Sequence, residues 1–340
     1  MKAMILAAGY GTRLGILSEQ RPKPMLPVGN IPLIVHALEL LKRAQIFDVC
    51  INTHHKGDLL TTFLGDGQNF GVTIHWSHEE GEILGTGGGV KKVRDFFGRD
   101  PAVILNGKIV TTCDLGEVID FHKERGALGT MVLKPDPDAG RWGSIGADQA
   151  GRLVSILGKD AQNNETPSAS TMFTGISVIE PGFLDFLPEG PSCMVRQGWK
   201  PLFAAGEALF GYTMPANGYW WEHSTPARYL QGNKNLFEQD LLSRLGITFH
   251  NDPCDSISLA DNTSVLLGKN ITVGKGVVFS GMVVAGEGVS IAPGVTLEDC
   301  VIWPRSAVTQ SLFHSIVTPR GILEVPRQNS QGGFTGPALR

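Results

Sequence analysis

An α/β fold with a doubly wound, mostly parallel sheet, followed by a short stack of six-residue repeats, is what this sequence predicts. In the first half, short apolar runs alternate with amphipathic helical patterns, the signature of strands connected by crossover helices. Further on, aliphatic or small residues recur every six positions from Val265 to Ala307, a period that neither a helix nor a simple strand has. The 43 glycines and a charged fraction of only 18% suit a compact chain with many tight turns rather than a disordered one.

Ala3–Ala8 reads as a buried strand, Leu33–Arg43 as an amphipathic helix, and Val49–Asn52 as the next strand. A short helix over Gly57–Phe63, a strand over Val72–Trp76, and a helix over Gly88–Phe96 ending before Gly98 follow. Ala102–Leu105 is a strand running into Asn106-Gly107, and Leu115–Glu124 is a helix that ends near Gly126. The pattern then becomes less regular. Thr130–Lys134, Arg152–Ile156 and Met172–Ile179 read as strands, and the Asn-, Ser- and Pro-rich stretch Asp160–Ala169 as a surface loop. The character changes after Asn251-Asp-Pro253, so the expected domains are 1–245 and 255–320. Within the second, Val265, Ile271, Val277, Val283, Val289, Val295, Val301 and Ala307 keep the period of six, with Gly268, Gly274, Gly286 and Pro293 as turn residues between them. Stacked coils, each covering its neighbour's apolar face, satisfy such a repeat.

The net charge of -4 gives no general attraction to nucleic acid or to an anionic membrane, so any phosphate binding must be local. Cys50, Cys113, Cys193, Cys254 and Cys300 are scattered without a Cys-x-x-Cys pair, which points to a reduced cytoplasmic chain rather than a disulfide scaffold or a zinc site. No apolar run is long enough to span a bilayer. His54, His55 and His78 lie close in sequence, and a turn that caps or lines a pocket fits them better than zinc.

Two dense motifs carry the chemistry. Leu6-Ala-Ala-Gly-Tyr-Gly-Thr-Arg13 leaves the first strand with small residues whose backbone N–H groups can turn toward a phosphate chain, and Pro22-Lys-Pro-Met-Leu-Pro-Val28 follows almost at once. Arg13 can pair bidentately with phosphate oxygens, and the prolines flanking Lys23 restrict its backbone. Together the motifs resemble the nucleotidyltransferases that make nucleotide sugars from a sugar 1-phosphate and a nucleoside triphosphate, above all the mannose-1-phosphate guanylyltransferases and related uridylyltransferases. That family begins Leu-Ala-Ala-Gly-x-Gly-Thr-Arg-Leu and continues Pro-Lys-Pro-Met-Leu-Pro-Val, and both runs stand here at Leu6–Leu14 and Pro22–Val28.

The resemblance implies a Rossmann-like nucleotidyltransferase domain with Arg13 and Lys23 on the phosphates, and Leu6, Ala7, Ala8, Gly9, Gly11 and Thr12 around the nucleotide. The segment Glu80–Val90 is similar to the family's glycine-rich loop for base and ribose, which assigns Glu82, Gly85, Thr86, Gly87 and Gly88 to the nucleotide, GTP or UTP. Asn106, Gly107, Lys159, Thr174 and Gly175 fall where the family binds the sugar 1-phosphate, although Asp160 follows Lys159 and the family's Glu before that lysine is here Gly158. The repeat resembles the left-handed parallel β-helix that often follows the catalytic domain. Its shortness, with His314 its only histidine, disfavours acyl transfer and leaves packing against the main domain or another subunit.

The metal site departs from the family. Relatives carry Asn-Gly-Asp and Trp-x-Asp-x-Gly-Thr-Pro, whose aspartates hold Mg²⁺; this chain has Asn106-Gly107-Lys108 and Trp220-Trp221-Glu222-His223-Ser224-Thr225-Pro226. Glu222 can replace one carboxylate, but protonated Lys108 cannot ligate a hard cation. The swap changes local charge by about two units, worth on the order of several kcal/mol to a nearby cation. Three readings follow: Lys108 compensates phosphate charge itself as part of the catalytic set, Asp114 or Glu222 recruits Mg²⁺ through water, or the protein is a catalytically impaired regulatory subunit that binds nucleotide or nucleotide sugar.

Overall fold

The computed structural model describes residues 1–157, 159–160, 170–238, 241–246 and 257–327. Among them the chain forms two units that do not follow chain order: residues 1–10 with 34–220, and residues 11–33 with 221–327.

The first unit is built on a ten-stranded sheet. Lys2–Leu6 lies between Ala102–Asn106 and Asp48–Thr53, with Thr73–His78 beyond, all parallel. These are the predicted apolar runs, and each is followed by a helix. Leu33–Arg43 buries Ile34, Ala37, Leu38 and Leu41, one stripe at helical spacing. Leu115–Glu124 starts at Asp114, whose Oδ1 accepts from the N–H of Gly116 (2.8 Å) and of Glu117 (3.3 Å). The predicted helix Gly88–Phe96 is instead two, Gly85–Lys92 and Arg94–Phe97, parted at Val93.

Across the rest of the sheet the expected parallel order fails. Thr171–Ile179 is antiparallel to Ala102–Asn106, to Gly129–Pro135 and to Ser144–Ala147, while Leu209–Thr213 runs parallel to Gly129–Pro135. The sheet is therefore mixed rather than mostly parallel. The physical reason is local: between Gly129 and Ile156 no connection holds a crossover helix of the dozen residues that a parallel return needs. Asp160, at the start of the predicted surface loop, belongs to the two-residue strand Lys159–Asp160; the remainder of that loop, and Cys254, lie outside the described residues. Met4, Ile104, Met131, Leu133, Phe183 and Trp199 are among the core residues. Trp199 ends a π-helical turn over Met194–Trp199, and its ring lies against Gly129, where a Cβ would stand 2.8 Å from it. Cys50, Cys113, Cys193 and Cys300 are free, and burial pushes the thiols of Cys50 and Cys300 up to about 11 and that of Cys113 to about 12, so these three are poor nucleophiles.

In the second unit, Val265 pairs in parallel with Val283, and Thr272 with Ser290, each eighteen positions on and so three repeats of six. Ser264–Leu267, Val277–Ala285, Thr296–Ile302 and Leu312–Thr318 stack side by side, and Gly321–Glu324 closes the row antiparallel. The six-residue period slips near its end. Asp299 has a positive φ of 50° and Gly281 one of 61°, the register shifts between Ser280 and Val283, and Val283 pairs with Cys300. Thereafter Cys300 and Ile302 join this core cluster, Val301 is buried outside it, and Val308 is buried where Ala307 is exposed. Asp299 holds this irregularity: its carboxylate accepts from the N–H of Met282 at 3.0 Å and from Lys234 Nζ at 3.2 Å, and His314 Nε2 stands 3.2 Å away.

Residues 11–33 are fastened within the same unit. Tyr229 on the helix Pro226–Asn235 donates its hydroxyl to the carbonyl of Pro27 (2.5 Å) and accepts from Trp303 Nε1 (3.0 Å). Asn233 Oδ1 accepts from the N–H of Gly29 (2.9 Å), and Asn30 Nδ2 donates to the carbonyl of Ala285 (2.9 Å). Tyr229→Phe leaves the Pro27 carbonyl and the Trp303 N–H without these partners in a buried place. The variant should lose about 1–3 kcal/mol in urea denaturation; unchanged stability would show that the bridge does not hold the segment.

Candidate functional site

The central strand of the first unit ends at Leu6, with Asn52 and Asn106 as its ladder neighbours. Its carbonyl accepts from the N–H of Gly107 at 3.0 Å. The next N–H, of Ala7, has no strand to pair with, and the side chain of Asn52 supplies its acceptor at 2.7 Å. Two residues later the backbone opens: a Cβ on Gly9 would meet no atom within 4 Å. Nothing in the fold itself fills the place of a side chain there.

The glycines of the second motif are different. The segment Gly190–Met194 lies across the start of the helix Gly85–Lys92. Ser192 N–H donates to the Leu84 carbonyl (2.9 Å), Gly87 N–H to the Ser192 carbonyl (2.8 Å), and Met194 N–H to Thr86 Oγ1 (2.9 Å). A Cβ on Gly85 would stand 2.6 Å from the Ser192 carbonyl oxygen, one on Gly87 2.6 Å from Ser192 Oγ, and one on Gly88 would run into the carbonyl oxygen of Gly190. Gly89 in turn faces Asn52 Nδ2 (2.9 Å) and Glu79 Oε1 (3.0 Å). Packing within the chain thus already demands these glycines. What remains open to a ligand is the exposed start of the helix at Gly85 and Thr86, with Glu82 exposed before it.

Asn106, Gly107, Thr174 and Gly175 are brought together. Gly175 has φ +83°, and the Asn106 amide occupies the place of its missing Cβ. The Thr174 hydroxyl is committed inward, donating to the Val132 carbonyl at 2.8 Å, while its own carbonyl accepts from Trp220 Nε1 at 2.9 Å. This pair can therefore offer a ligand backbone rather than the threonine hydroxyl. Lys108 is half-buried in the turn to Ile109–Thr111. The side chain of Lys159 lies outside the described part of the structure.

In the second unit Gly11 takes φ +70°, and a Cβ there would be 3.7 Å from Lys23 Cβ and Cε. Thr12–Leu14 and Lys23–Met25 are single 3-10 turns, and Pro24 is buried beside Lys23. Arg13 Nη2 lies 3.9 Å from Glu222 Oε1, and both side chains keep solvent access. That is a weak exposed pair, which leaves the guanidinium available to a more strongly charged partner.

Three of these residues bear on the Mg²⁺ that the resemblance implies, each within its own unit. Glu222 faces Arg13, Asp114 caps a helix, and Lys108 brings a positive charge. Among the described residues no group of three or more His, Cys, Asp or Glu side chains could hold a metal ion. His54 and His78 serve the fold: His54 Nε2 donates to the Gly81 carbonyl (2.9 Å) with its ring edge-on to Tyr10, and His78 Nδ1 is 2.9 Å from Thr53 Oγ1. Behind the helix Gly85–Lys92 a 470 Å³ cleft is lined partly by Lys91, Arg94 and Glu189. Lys91 pairs there with Glu189 and Arg94 with Asp185, while Lys92 donates to the carbonyl of His78.

Sequence reasoning missed Asn52, Glu79 and Ser192. The only signal they gave was polar character next to apolar runs, which many surface residues share.

Residues 2–220 match the family model described as nucleotidyl transferase. The chain is 30% identical over 303 residues to mannose-1-phosphate guanylyltransferase of Mycobacterium tuberculosis, covering 88% of this chain and 79% of that protein. It is 28% identical over 328 residues to UTP–glucose-1-phosphate uridylyltransferase of Synechocystis, covering 92% and 82%. Among solved structures, one from Bacillus anthracis, described as a glucose-1-phosphate thymidylyltransferase in complex with a sucrose, superposes with a TM-score of 0.59 at 25% identity, covering 74% of this chain and 98% of that one.

The two kinds of glycine separate in experiment. Gly88→Ala should cost about 1–3 kcal/mol of stability, because a backbone oxygen cannot give way cheaply. Gly9→Ala should leave stability within about 0.5 kcal/mol of the parent and raise the nucleotide KM severalfold. A Gly9→Ala enzyme with an unchanged nucleotide KM would show that nothing approaches that loop.

Proposed function

The chain belongs to the nucleotidyl transferase family, and from that premise we propose that it transfers a nucleotidyl group from a nucleoside triphosphate to a sugar 1-phosphate, giving an NDP-sugar and pyrophosphate. A phosphate oxygen of the sugar 1-phosphate attacks the α-phosphorus in line; the bond from that phosphorus to the bridging oxygen breaks, and pyrophosphate leaves with the bond pair. The observation that carries this is the end of the central strand. Leu6-Ala7-Ala8-Gly9 leaves the sheet at the carboxyl edge with open space at Gly9, and the same loop continues into Gly11, Thr12 and Arg13. Arg13 and Lys23 neutralise the triphosphate, Gly85 and Thr86 face base and ribose with Glu82 and the Gly87-Gly88 pair behind them, and Asn106, Gly107, Lys159, Thr174 and Gly175 receive the sugar phosphate.

GTP or UTP is the favoured donor, since the guanylyltransferase and uridylyltransferase relatives align over 88% and 92% of the chain. Lys108 supplies a fixed positive charge where the family resemblance calls for an aspartate, and Mg²⁺ belongs here to the incoming triphosphate, with Glu222 the only carboxylate of the two motif positions. The parallel pairings eighteen residues apart at Val265–Val283 and Thr272–Ser290 support a left-handed β-helix over 255–320, following in the chain a catalytic region of 1–245, and that stack is the surface proposed for self-association. No helix among the described residues is long and apolar enough to cross a membrane, and a cytoplasmic location is proposed with it.

The test is pyrophosphate release from four NTPs against several sugar 1-phosphates, with Mg²⁺ and with EDTA, alongside Lys108→Asp. Release with one nucleotide–sugar phosphate pair is the expected result. Lys108→Asp should make release depend more steeply on Mg²⁺ and lower it about tenfold or more when Mg²⁺ is scarce, as losing a charge-stabilising donor does. No release from any pair, with nucleotide still bound and activity appearing in Lys108→Asp, would instead identify the regulatory binding subunit that Lys108 also allows.

A further inference from the structure

We propose that Asn52 and Glu79 are positioning residues that hold the phosphate loop and the base loop in one fixed geometry before nucleotide arrives; this rests on the nucleotide-site reading given above. Neither residue stands in the motifs, and neither is placed to touch substrate. They lie beneath both loops, 2% and 5% exposed.

The connection is an unbroken chain of hydrogen bonds. Ala7 N–H donates to Asn52 Oδ1 at 2.7 Å, Asn52 Nδ2 donates to Glu79 Oε1 at 2.6 Å, and Leu84 N–H donates to Glu79 Oε2 at 2.8 Å. The polarity is forced. An N–H from Ala7 needs the amide oxygen of Asn52, so its NH₂ must point at Glu79. Glu79 accepts at both of its carboxyl oxygens. Its backbone is pinned as well, since its N–H donates to the Thr53 carbonyl at 2.8 Å. Gly89 completes the fit, because a Cβ there would press on both Asn52 Nδ2 and Glu79 Oε1. A second tie runs outside the first: His54 Nε2 donates to the Gly81 carbonyl and packs edge-on to Tyr10. The end of one strand, residues 52–54, thus reaches both loops twice.

Stability alone explains this poorly. Among the described residues no ion pair is formed by Glu79, and a buried carboxylate held only by neutral donors is costly beside an apolar side chain of similar volume. The gain lies in where the chain ends. Its two termini are the backbone N–H groups of Ala7, which opens the Ala8–Gly9 turn, and of Leu84, which precedes Gly85 and Thr86. Displacing one loop breaks the acceptor of the other.

The polarity supplies its own test. Glu79→Gln sets an NH₂ against either the Asn52 NH₂ or the Leu84 N–H. Asn52→Asp keeps the acceptor for Ala7 but sets two carboxylates face to face. In the Asn52→Asp/Glu79→Gln double variant every bond reforms with the middle one reversed: the carboxylate at 52 accepts from Ala7 N–H and from the amide at 79, whose oxygen accepts from Leu84 N–H. In the full-length enzyme, each single variant should raise nucleotide Kd and KM about tenfold, with a much smaller change in the KM for sugar 1-phosphate, and the double variant should return to within about threefold of the parent. Singles that lower Tm but leave nucleotide Kd and KM at parental values would overturn the proposal, as would a double variant no better than the worse single or unable to fold. Should the singles not fold, a folded, nucleotide-binding double variant still supports it. A parent that binds no nucleotide overturns the functional reading beneath it, and this step falls with it.

Discussion

The backbone N–H of Ala7 is where the construction of this protein turns from fold to function. A parallel sheet leaves the last donors of each strand without a ladder partner at its carboxyl edge, and buried donors need acceptors. Here the neighbouring strand provides one from a side chain, Asn52, so the central strand stays ordered one residue beyond its last pairing. Because Asn52 is fixed by Glu79 and Glu79 by the Leu84 N–H, the requirement at one strand end is passed to a second loop. Preorganised backbone donors are what phosphoryl chemistry most needs from a protein, since it has little covalent chemistry to contribute.

Glycine-rich sequence serves two opposite purposes in this chain. In the helix Gly85–Lys92 the missing side chains admit other parts of the protein, with Ser192 and Gly190 on one side and Asn52 and Glu79 on the other. At Gly9 the missing side chain leaves room that no protein atom fills. Motif matching treats both runs as ligand loops. What each absent Cβ would meet separates the two: protein atoms fill those places at Gly87, Gly88 and Gly89, and Gly9 stands open.

Much of the fold was legible because the signals were periodic. Ala102–Leu105, Met172–Ile179 and the amphipathic stripe of Leu33–Arg43 were found within a residue or so, since each buries a face that repeats at strand or helix spacing. The helix start at Gly85 was read three residues late: glycine is a poor helix former by propensity, and the Gly190–Met194 segment packed against it overrides that. The mixed order of the sheet was hidden because strand direction depends on connection length more than on the strands themselves. In the repeat, Val265 to Val295 kept register, and the slip at Asp299 was unreadable because it depends on a positive-φ residue tied to Lys234 and Met282, far off in sequence. The site divides likewise. Arg13, Lys23 and Gly9 stood out through rare spacing, whereas Asn52 and Glu79 are single polar residues whose meaning exists only once strands 48–53 and 73–78 are adjacent.

Charge sets the remaining distinction. Lys108 in the first unit, and Arg13 beside Glu222 in the second, each carry a positive charge, which suits the anionic substrate proposed for the site. Such a site works without rearrangement only if its loops are already held in place. Amide hydrogen exchange in the nucleotide-free enzyme, read at Ala7 and Leu84, measures that directly. Both amides should exchange orders of magnitude more slowly than the exposed Gly9 and Gly81 amides beside them, and Glu79→Gln should release both together. Exchange of Ala7 and Leu84 at the rate of those open loop neighbours would mean that the two loops are not joined before nucleotide binds, and would contradict the account at its centre.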